Sequence, residues 1–493
     1  MQVSSSSTDV VIVGGGSAGC VLAARLSEDS QRSVLLIEAG PDHRSDELPD
    51  YLSLLSRPID WPYDWRNVVV SAEGRRLHYG RGRGVGGSSL TNGGVAMRAE
   101  PADLDRWLPG WRWNDLLDAF CRIETDLDFG EAAYHGTEGP VPIVRWARDT
   151  WTPLQEGFVA GCLALGHPFC EDHNAPDTTG VGPIPMNRVE RSRRSALHTH
   201  LDPVRSRPNL AIRGDAHVVR LLVDGSRVVG VELAGGERIV AGEVVLCAGV
   251  LQNPLLMWRS GLGPAAEVAA LGVDPVTDLP AVGANVTDHY VMTFANEIDP
   301  GIVTAGAPSL QTILRASSGP GGETNDLQLT PFVRNHDDGR RSIAISVSLQ
   351  LPQGSGSVRP SGPGPDDEPA VAWPFTAHPD NVARLREGWR LAARIVEASG
   401  LSIDPDGLHR ELAADDAALD KLIAAEHTAF YHGVGTCRMG VDGNDSVVDD
   451  TLSVHGVQGL RVVDASVIPT VPRSNTNIVV MALADHAAER LWS

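Results

Sequence analysis

The alternation of apolar and polar positions is most informative at the start of the chain. An unbroken apolar run, Val10–Val13, passes directly into the small residues Gly14–Gly19, and an alanine-rich stretch of helical pattern follows. A second apolar run, Val34–Ile37, ends at Glu38. Short, continuous apolar runs are typical of strands buried on both faces of a parallel sheet. The order therefore predicts a βαβ unit.

The glycines of this unit have the spacing that dinucleotide-binding loops require. In a G-x-G-x-x-G pattern, glycine permits a tight turn, close approach of the backbone to a pyrophosphate, and close packing of helix on strand. The N–H groups at the start of the following helix then face the phosphates. An acidic residue after the second strand can accept ribose hydroxyls but would repel a ribose 2′-phosphate. The nucleotide contacts predicted here are Gly14, Gly16, Ser17, Ala18, Gly19 and Glu38.

Two patterns follow in the next two hundred or so residues. A second glycine-rich segment, Gly80–Gly94, has so few large side chains that we expect its backbone to lie against a flat ligand. Residues Asn209–Leu246 alternate apolar and polar runs around a turn at Asp224. This alternation predicts a β-meander that ends in a buried strand, Val244–Leu246.

The second half of the chain changes to a different periodicity. From about Val291 to Pro374 the apolar positions recur every second residue, as in Ser342–Leu349, which predicts an antiparallel sheet with one face in water. Asn381–Ala398 has helical periodicity. A strand over Leu460–Val467 and a helix over Ile478–Leu491 are predicted near the end.

Composition and charge narrow the class of function. A chain of 493 residues, 42% hydrophobic, is large enough for more than one domain. Its net charge of -22, without a basic stripe, argues against a nucleic-acid partner. The arginines Arg191, Arg193 and Arg194 are predicted to form a solvated segment, with a role in holding a negatively charged cofactor as the alternative. No apolar stretch approaches the length of a membrane-spanning helix.

The cysteines give a second constraint. All six are scattered without C-x-x-C spacing, which predicts neither a zinc site nor a disulfide framework, and we expect no metal. A reduced, cytoplasmic compartment is the expectation. The polar run Met1–Thr8 lacks the apolar segment of a secretory signal.

Several segments, in chain order, resemble signatures of the glucose-methanol-choline (GMC) oxidoreductases, and the resemblance covers nearly the whole chain. Besides the N-terminal glycines they are Gly82–Gly93, Gly249–Pro264, Pro280–His289, and Tyr431–Gly440 with Val463–Ser466 and Pro472–Asn477. Asn253 stands where the family usually has serine or threonine, and we expect this departure to be tolerated. Within these segments we expect His289 to be structural and Cys437 to be a packing residue.

The resemblance implies a fold and a domain order. The fold class is α/β: a Rossmann-like FAD-binding domain with a second α+β substrate domain built on an antiparallel sheet. The FAD-binding domain is predicted over residues 1–290, with an inserted segment at about 100–190 that contributes to the substrate side. Residues 291–430 then form the substrate domain, and residues 431–493 return to the FAD domain with the active site.

The resemblance also implies the cofactor and further residues that contact it. FAD is expected with its adenine end in the N-terminal unit and its ring against the second glycine-rich segment and the C-terminal segment. Thr91 occupies the place where some members attach the flavin to histidine, so non-covalent FAD is predicted. Val218 would act through its backbone, because its side chain cannot form hydrogen bonds. The further cofactor contacts predicted are Gly86, Ser89, Asn92, Gly93, Val218, Asp464, Ala465, Asn477 and Ile478.

Two residues match the positions that carry the chemistry in the family. Oxidation of an alcohol removes the hydroxyl proton and transfers a hydride from the adjacent carbon, here to flavin N5. His432 matches the catalytic histidine, and imidazole is a suitable base near neutral pH. Asn475 matches its partner, which can donate to and accept from the substrate hydroxyl. Asn475 or Asn477 could instead cap the final helix.

Several alternatives stay open at this point. The substrate is expected to be an alcohol, with a sugar or another small polar alcohol as one class, and the electron acceptor is oxygen or another molecule. The acidic excess is compatible with cationic or amino-sugar alcohols, and equally with the acidic surface of a host proteome. GMC-fold lyase or flavin photodecarboxylase chemistry is the alternative function. A non-catalytic flavoprotein ranks last, because both active-site positions carry competent side chains.

Overall fold

The computed structural model describes residues 8–55, 63–297, 307–319, 322–335, 341–401, 404 and 407–492. The first part of the chain contains β1 (Thr8–Val13), α1 (Ser17–Leu26), β2 (Val34–Ile37), α2 (Asp50–Ser53), β3 (Asn67–Ser71), β4 (Arg76–Tyr79), α3 (Pro101–Leu104), α4 (Trp113–Ile123), β5 (Glu124–Asp126), β6 (Val141–Ile143) and α5 (Pro153–Ala164). The predicted polar run Met1–Thr8 lies, except for Thr8, outside the described residues.

The middle of the chain contains β7 (Gly180–Pro183), β8 (Arg188–Val189), β9 (Ser192–Arg193), β10 (Leu210–Arg213), β11 (Val218–Asp224), β12 (Arg227–Leu233), β13 (Arg238–Leu246), α6 (Gly249–Arg259), β14 (Leu262–Gly263), α7 (Ala265–Ala270) and β15 (Thr277–Asp278). The last part contains β16 (Tyr290–Glu297), β17 (Thr312–Ala316), β18 (Leu327–Asn335), β19 (Arg341–Leu349), β20 (Ser357–Arg359), β21 (Ala370–Trp373), α8 (Pro379–Ser399), α9 (Leu408–Ala413), α10 (Asp416–Glu426), β22 (Thr428–Ala429), β23 (Leu460–Val462) and α11 (Thr476–Trp492). None of the described helices is both long and apolar enough to cross a membrane.

The two apolar runs at the start of the chain form neighbouring parallel strands, as predicted. β1 pairs in parallel with β2 on one side and β13 on the other, and β10 and β23 extend this sheet in the same sense. Val11, Ile12, Leu36 and Val245 are fully buried within it. α1 packs against β1 and β2. The βαβ unit is therefore confirmed.

The predicted β-meander is shorter than the sequence pattern indicated. β11, β12 and β13 are antiparallel neighbours, whereas β10 pairs in parallel with β2. Inclusion of Leu210–Arg213 in the meander was therefore wrong. Alternation of apolar and polar positions reports which face of a strand is buried, but it does not identify the strand beside it.

A second sheet has the antiparallel order β22-β16-β19-β18-β17-β7. The prediction that one of its faces is in water was wrong, because Ser346 and Ser348 in β19 are buried along with the apolar residues between them. Hydrogen bonds replace the missing water: Ser346 donates to the Thr330 carbonyl, and Gln350 donates to Ser348 Oγ. Polar residues at alternate positions thus mark a buried, hydrogen-bonded face here.

Two helices cover this antiparallel sheet. α8 contacts β16, β18 and β19, and α5 contacts α8 as well as β7, β17 and β18. Leu385, Trp389 and Ile395 of α8 and Phe158 of α5 belong to the apolar core that also includes the sheet residue Phe294. α5 and β7 both come from the first two hundred residues. The domain boundaries themselves stay a prediction.

A smaller sheet in the order β20-β21-β3-β4 links distant parts of the chain. β21 pairs in parallel with β3, so that Ala372 lies opposite Val70. No feature of the sequence indicated this pairing. Tyr79 of β4 packs against Trp373 of β21 with ring centroids 4.9 Å apart, and both belong to the apolar core of the antiparallel sheet.

The C-terminal segment returns to the first sheet. β23 pairs with β13, and α11 packs against α1 and α4. The strand predicted over Leu460–Val467 ends at Val462, because the Asp464 side chain accepts the Ser466 N–H and starts a short turn. The helices predicted near residues 381–398 and 478–491 are confirmed as α8 and α11. The predicted fold class is confirmed.

The packing of α5 on α8 can be tested with two glycines of one helix. A Cβ at Gly161 would lie 2.5 Å from the Ile395 carbonyl oxygen of α8, which is fixed backbone. A Cβ at Gly157 would lie 2.6 Å from the Leu401 side chain, which can turn aside. We expect Gly161→Ala to lower the free energy of unfolding by about 1 to 3 kcal/mol, because the helices must separate.

The matched variant Gly157→Ala should change that free energy by less than about 1 kcal/mol, since alanine also favours the helix. Urea titration followed by circular dichroism measures both. Equal effects of the two substitutions would contradict the close approach of these helices.

Candidate active site

A cavity of about 650 Å³ lies where the βαβ unit, the second glycine-rich segment, the start of α6 and the C-terminal segment meet. Its volume is within the range of roughly 300 to 1,000 Å³ usual for cofactor and small-molecule sites. The sequence-predicted residues that line it are Gly14, Gly16, Ser17, Ala18, Glu38, Asn92, Gly93, Val218, His432, Asp464, Ala465, Asn475 and Asn477. Residues far apart in the sequence therefore share one site.

The remaining predicted contacts are not among the described residues that line the cavity, although each supports its wall. A Cβ at Gly19 would overlap the Gly14 carbonyl oxygen, so Gly19 permits close packing of α1 on β1. Gly86 donates its N–H to the Gly15 carbonyl at 2.7 Å. Ser89 Oγ accepts the Ala196 N–H at 3.0 Å. Ile478 is buried in the core of the first sheet.

The first glycine loop leaves room for a bound phosphate group. Gly14 has a φ of 104°, a conformation that favours glycine. No atom lies within 4 Å of a Cβ built on Gly16, which immediately precedes α1 and lines the cavity. The N–H groups in the first turn of a helix attract anions. This open position at the N-terminus of α1 fits the pyrophosphate of FAD.

Glu38 is fixed by the backbone of both glycine-rich segments. Its Oε2 accepts the Gly15 N–H at 2.8 Å, and its Oε1 accepts the N–H groups of Gly40 at 2.9 Å and Gly84 at 3.1 Å. Burial raises the pKa of this carboxyl, and these hydrogen bonds favour its ionised form. Each carboxylate oxygen has two lone pairs. Oε2 therefore keeps one acceptor position, which fits a ribose hydroxyl.

Asp464 organises the opposite side of the cavity. Its Oδ2 accepts from the Gly249 N–H at 2.7 Å and Asn253 Nδ2 at 2.8 Å, and its Oδ1 accepts the Ser466 N–H at 2.8 Å and Oγ at 2.6 Å. These four hydrogen bonds occupy the acceptor positions of Asp464. Its role is therefore to hold the start of α6 in place. Asn253 also accepts the Ala248 N–H at 2.9 Å, which shows how asparagine fits this position.

The contact between His289 and His432 determines which ring nitrogen of each histidine carries the proton. His289 Nε2 lies 2.8 Å from the Pro472 carbonyl, and the Nδ1 atoms of His289 and His432 are 2.9 Å apart. Burial lowers the pKa of His289 to about 3, so this ring is neutral. A carbonyl only accepts hydrogen bonds, which places the His289 proton on Nε2. His289 Nδ1 is then an acceptor, and His432 must carry its proton on Nδ1.

With its proton on Nδ1, the neutral His432 ring has an unprotonated Nε2. Burial lowers the pKa of His432 well below its usual value. Asn475 Nδ2 lies 3.1 Å from His432 Nε2 and therefore donates to it. Asn475 Oδ1 is buried and has no hydrogen-bond partner among the described residues. The base thus lies beside an amide whose oxygen has an unused acceptor position.

The segment that carries His432 is anchored by a buried carboxylate. Asp288 Oδ1 accepts the His432 N–H at 2.8 Å, and its Oδ2 accepts the Tyr79 hydroxyl at 2.6 Å. The Tyr79 oxygen in turn accepts the Gly433 N–H at 3.1 Å and a hydrogen bond from Arg81. Burial raises the pKa of Asp288 to about 6. Sequence reasoning missed Tyr79, Arg81 and Asp288, although Asp288 lies in a segment that it singled out.

The segment that carries Asn475 has a separate anchor. Arg473 donates to Asp103 from its N–H at 2.8 Å and from its Nε at 2.9 Å, and both residues are buried. Burial raises the pKa of Asp103, while the Arg473 guanidinium opposes that rise. Asn477 Oδ1 accepts the Ser17 hydroxyl at 2.8 Å, which links the start of α11 to the start of α1.

The expectation that Arg193 is solvated was wrong. Arg193 is 3% exposed and donates to the carbonyls of Leu52 at 2.8 Å, Leu54 at 3.3 Å and Leu90. Backbone carbonyl oxygens take the place of water around this guanidinium. Because Leu90 belongs to the second glycine-rich segment, Arg193 supports the wall of the cavity. Arg193 lies in a polar stretch of the sequence, and nothing in that stretch indicated that its side chain is buried.

Cys437 and Thr91 bear on two narrower expectations. Cys437 is fully buried with its Sγ 3.9 Å from Met257 Sδ, and burial raises the pKa of its thiol. This environment is that of a packing residue. Thr91 lines the cavity, but the non-covalent attachment of FAD stays a prediction.

One group outside the cavity could hold a metal ion by geometry alone. Ligand atoms of Glu124, Asp126 and His135 lie within 4.8 Å of one another. Arg98 lies 2.5 Å from Glu124, and Arg145 lies 2.8 Å from Asp126. These arginines already balance the carboxylates, so the group is an internal ion-pair network. The expectation of no metal stays a prediction.

Comparison with known proteins identifies the family of this site. A family model described as GMC oxidoreductase matches residues 8–291, and a second model with the same description matches residues 352–484. The chain is 34% identical to 5-(hydroxymethyl)furfural oxidase from Methylovorus sp., covering 98% of each chain. It is 32% identical to oxygen-dependent choline dehydrogenase from Escherichia coli, covering 98% of this chain and 95% of that one.

Solved structures agree with these sequence matches. The crystal structure of pyridoxine 4-oxidase from Mesorbium loti superposes with a TM-score of 0.85 at 31% identity, covering 98% of this chain and 99% of the other. Formate oxidase from Aspergillus oryzae gives a TM-score of 0.88 at 23% identity, which bears on the fold alone.

The buried Asp288 should make stability depend on pH in a defined direction. Its folded-state pKa of about 6 lies above the ordinary aspartate value of 3.8, so its stabilising contribution is present in acid and is lost as the pH rises through about 6. At 1.36 kcal/mol per pKa unit, about 1 to 2 kcal/mol is lost between pH 5 and pH 8. Asp288→Asn removes this pH-dependent contribution to the free energy of unfolding.

We therefore expect the free energy of unfolding of Asp288→Asn, relative to the wild type, to rise by about 1 to 2 kcal/mol from pH 5 to pH 8. Urea titrations of both proteins at each pH measure the difference. Loss of the Tyr79 hydrogen bond contributes a constant offset that cancels. A difference independent of pH would contradict a buried carboxylate behind His432.

Proposed function

The chain belongs to the glucose-methanol-choline oxidoreductase family, and we propose that this FAD-dependent oxidoreductase oxidises its alcohol by proton transfer to His432 Nε2. The observation that carries the proposal is the hydrogen-bond chain from the Pro472 carbonyl through His289 to His432. It supports the one tautomer of His432 that offers a lone pair to the cavity. A general base needs that lone pair within hydrogen-bond reach of the proton it removes.

Asn475 and His432 have different roles toward the substrate hydroxyl. As the alcohol enters, the Asn475 amide turns so that Nδ2 releases His432 Nε2 and the unpartnered Oδ1 accepts and orients the hydroxyl. His432 Nε2 then takes the proton, and its Nδ1–H continues to donate to His289. The resulting imidazolium is stabilised by this neutral acceptor. The alcohol loses one proton and one hydride and becomes a carbonyl compound.

Bound FAD supplies the hydride acceptor for this reaction. Gly14, Gly16 and the start of α1 are the proposed partners of its pyrophosphate, and Glu38 is the proposed partner of its ribose. Thr476 begins α11 at the edge of the cavity. The N-terminus of a helix carries partial positive charge and stabilises negative charge that develops nearby. We assign this role to α11 opposite the reduced flavin.

The family match leaves the alcohol and the electron acceptor open. One relative named above is an oxidase for 5-(hydroxymethyl)furfural and another is a choline dehydrogenase, so the names of relatives do not choose between substrates or acceptors. Oxygen or another molecule remains the proposed acceptor. The cytoplasmic location stays a proposal that rests on six scattered cysteines, all of them unpaired.

Replacement of His432 tests the proposed base. Glutamine has a similar polar reach but no basic nitrogen, so His432→Gln should retain FAD while the rate of flavin reduction by alcohol falls by about 100- to 10,000-fold. Anaerobic stopped-flow absorbance at the flavin band measures this rate. The surface variant His378→Gln is the control and should reduce at the wild-type rate.

Two results would contradict the proposal. Wild-type reduction rates in His432→Gln would exclude His432 as the base. Under anaerobic conditions, release of aldehyde or carbon dioxide without bleaching of the wild-type flavin would favour the lyase or photodecarboxylase alternative, because net oxidation of the substrate leaves electrons on the cofactor.

A further inference from the structure

We infer that the catalytic cavity takes an uncharged alcohol carried on an aromatic or other apolar group, and that it rejects alcohols bearing a quaternary ammonium. The inference rests on the proposed function, since it names the substrate class of that same site. It is carried by the composition of the wall beside His432 and by the placement of charge around it.

The wall beside the base is apolar. Phe430 lines the cavity with its ring centroid 4.9 Å from that of His432. Val95 and Leu310 also line it. A Cβ on Gly93, in the second glycine-rich segment, would lie 3.5 Å from Leu310 Cδ1. Phe430 therefore lies beside the catalytic histidine, and Leu310 lies beside the backbone expected to face the flavin.

The wall continues into an apolar cluster that is separate from the cores of the two main sheets. The cluster is built on Met97, Ile184, Met186 and Ile313, and Val95 and Leu310 pack against it. Methionine adapts its shape to irregular apolar surfaces and makes favourable contacts with aromatic rings. A sugar would place several hydroxyls against this surface without partners, which is unfavourable. An aromatic or branched alkyl group would instead bury apolar area.

The charges around the base disfavour a cation. Glu38 and Asp464 are the carboxylates among the described residues that line the cavity, and both are engaged by backbone or amide groups on the cofactor side. Asp288 lies behind the His432 segment, where Tyr79 and His432 occupy its oxygens. A quaternary ammonium would lose its hydration without a free carboxylate to replace it.

An aromatic cage could in principle replace that carboxylate, because ring faces attract cations. At this end of the cavity one arginine that lines it already lies over a ring. The Arg81 guanidinium lies 4.3 Å from the Tyr79 ring centroid, and Tyr79 packs against Tyr431 at 5.6 Å. Arg81 also donates to the Tyr431 carbonyl at 2.8 Å. A second cation here would be repelled by Arg81.

The charge requirement can be tested with two alcohols of the same shape. Choline and 3,3-dimethylbutan-1-ol differ only in that a quaternary nitrogen replaces a quaternary carbon. Anaerobic reduction of the FAD-loaded protein gives a second-order rate constant for each, with benzyl alcohol and glucose measured alongside. We expect benzyl alcohol and 3,3-dimethylbutan-1-ol each to exceed choline by about 100-fold or more, and glucose to be slowest or inert.

Equal or faster reduction by choline overturns the inference while leaving alcohol oxidation intact. A preference for glucose does the same. If none of the four alcohols bleaches the bound flavin, the inference fails. The proposed function fails separately, if an alcohol that does bleach the flavin reduces His432→Gln at the wild-type rate.

A pair of variants tests whether the wall itself makes the selection. Leu310→Glu adds a carboxylate to the wall, and Leu310→Gln adds an amide of nearly the same shape. We expect the ratio of the choline rate to the 3,3-dimethylbutan-1-ol rate to rise by about tenfold or more in Leu310→Glu relative to Leu310→Gln. The same ratio in both variants would overturn the assignment of charge selection to this wall. Using a ratio within each variant removes any shared loss of packing.

Discussion

The hydrogen bond between the Nδ1 atoms of His432 and His289 governs the chemistry that this protein can perform. A lone imidazole could place its proton on either nitrogen, and only one choice leaves an acceptor toward the cavity. The Pro472 carbonyl removes the ambiguity, because it obliges His289 to donate from Nε2 and to accept at Nδ1. The base is thereby prepared by a backbone group that never meets the substrate.

Keeping these rings in place requires buried charge, which the fold tolerates only in pairs or networks. Asp288 holds the backbone of His432, and Asp103 with Arg473 holds the segment that presents Asn475. Both carboxyl groups have a raised pKa because of burial. Each anchor joins the C-terminal segment to an earlier part of the chain, so the site forms only when β23 and α11 have returned to the first sheet.

The sequence predicted the parts of this site that depend on local patterns. The glycine spacing and the apolar runs indicated the βαβ unit, and the resemblance to the family pointed to His432 and Asn475. The resemblance could not show that His289 touches His432, because that contact joins residues 143 positions apart. The burial of Ser348 and Arg193 was also missed, since a polar residue hydrogen-bonded inside a protein looks the same in sequence as one in water. The pairing of β21 with β3 depends on tertiary packing that periodicity does not encode.

The tautomer of His432 is the central claim, and nitrogen NMR tests it most directly. The FAD-loaded protein would be labelled with ¹⁵N-histidine, and the His432 signals would be assigned by their absence in His432→Gln. Between pH 6 and pH 8 we expect a protonated Nδ1 and an unprotonated Nε2, because the pKa of His432 is lowered and His289 accepts at Nδ1. A proton on Nε2, or a doubly protonated ring at neutral pH, would contradict the account.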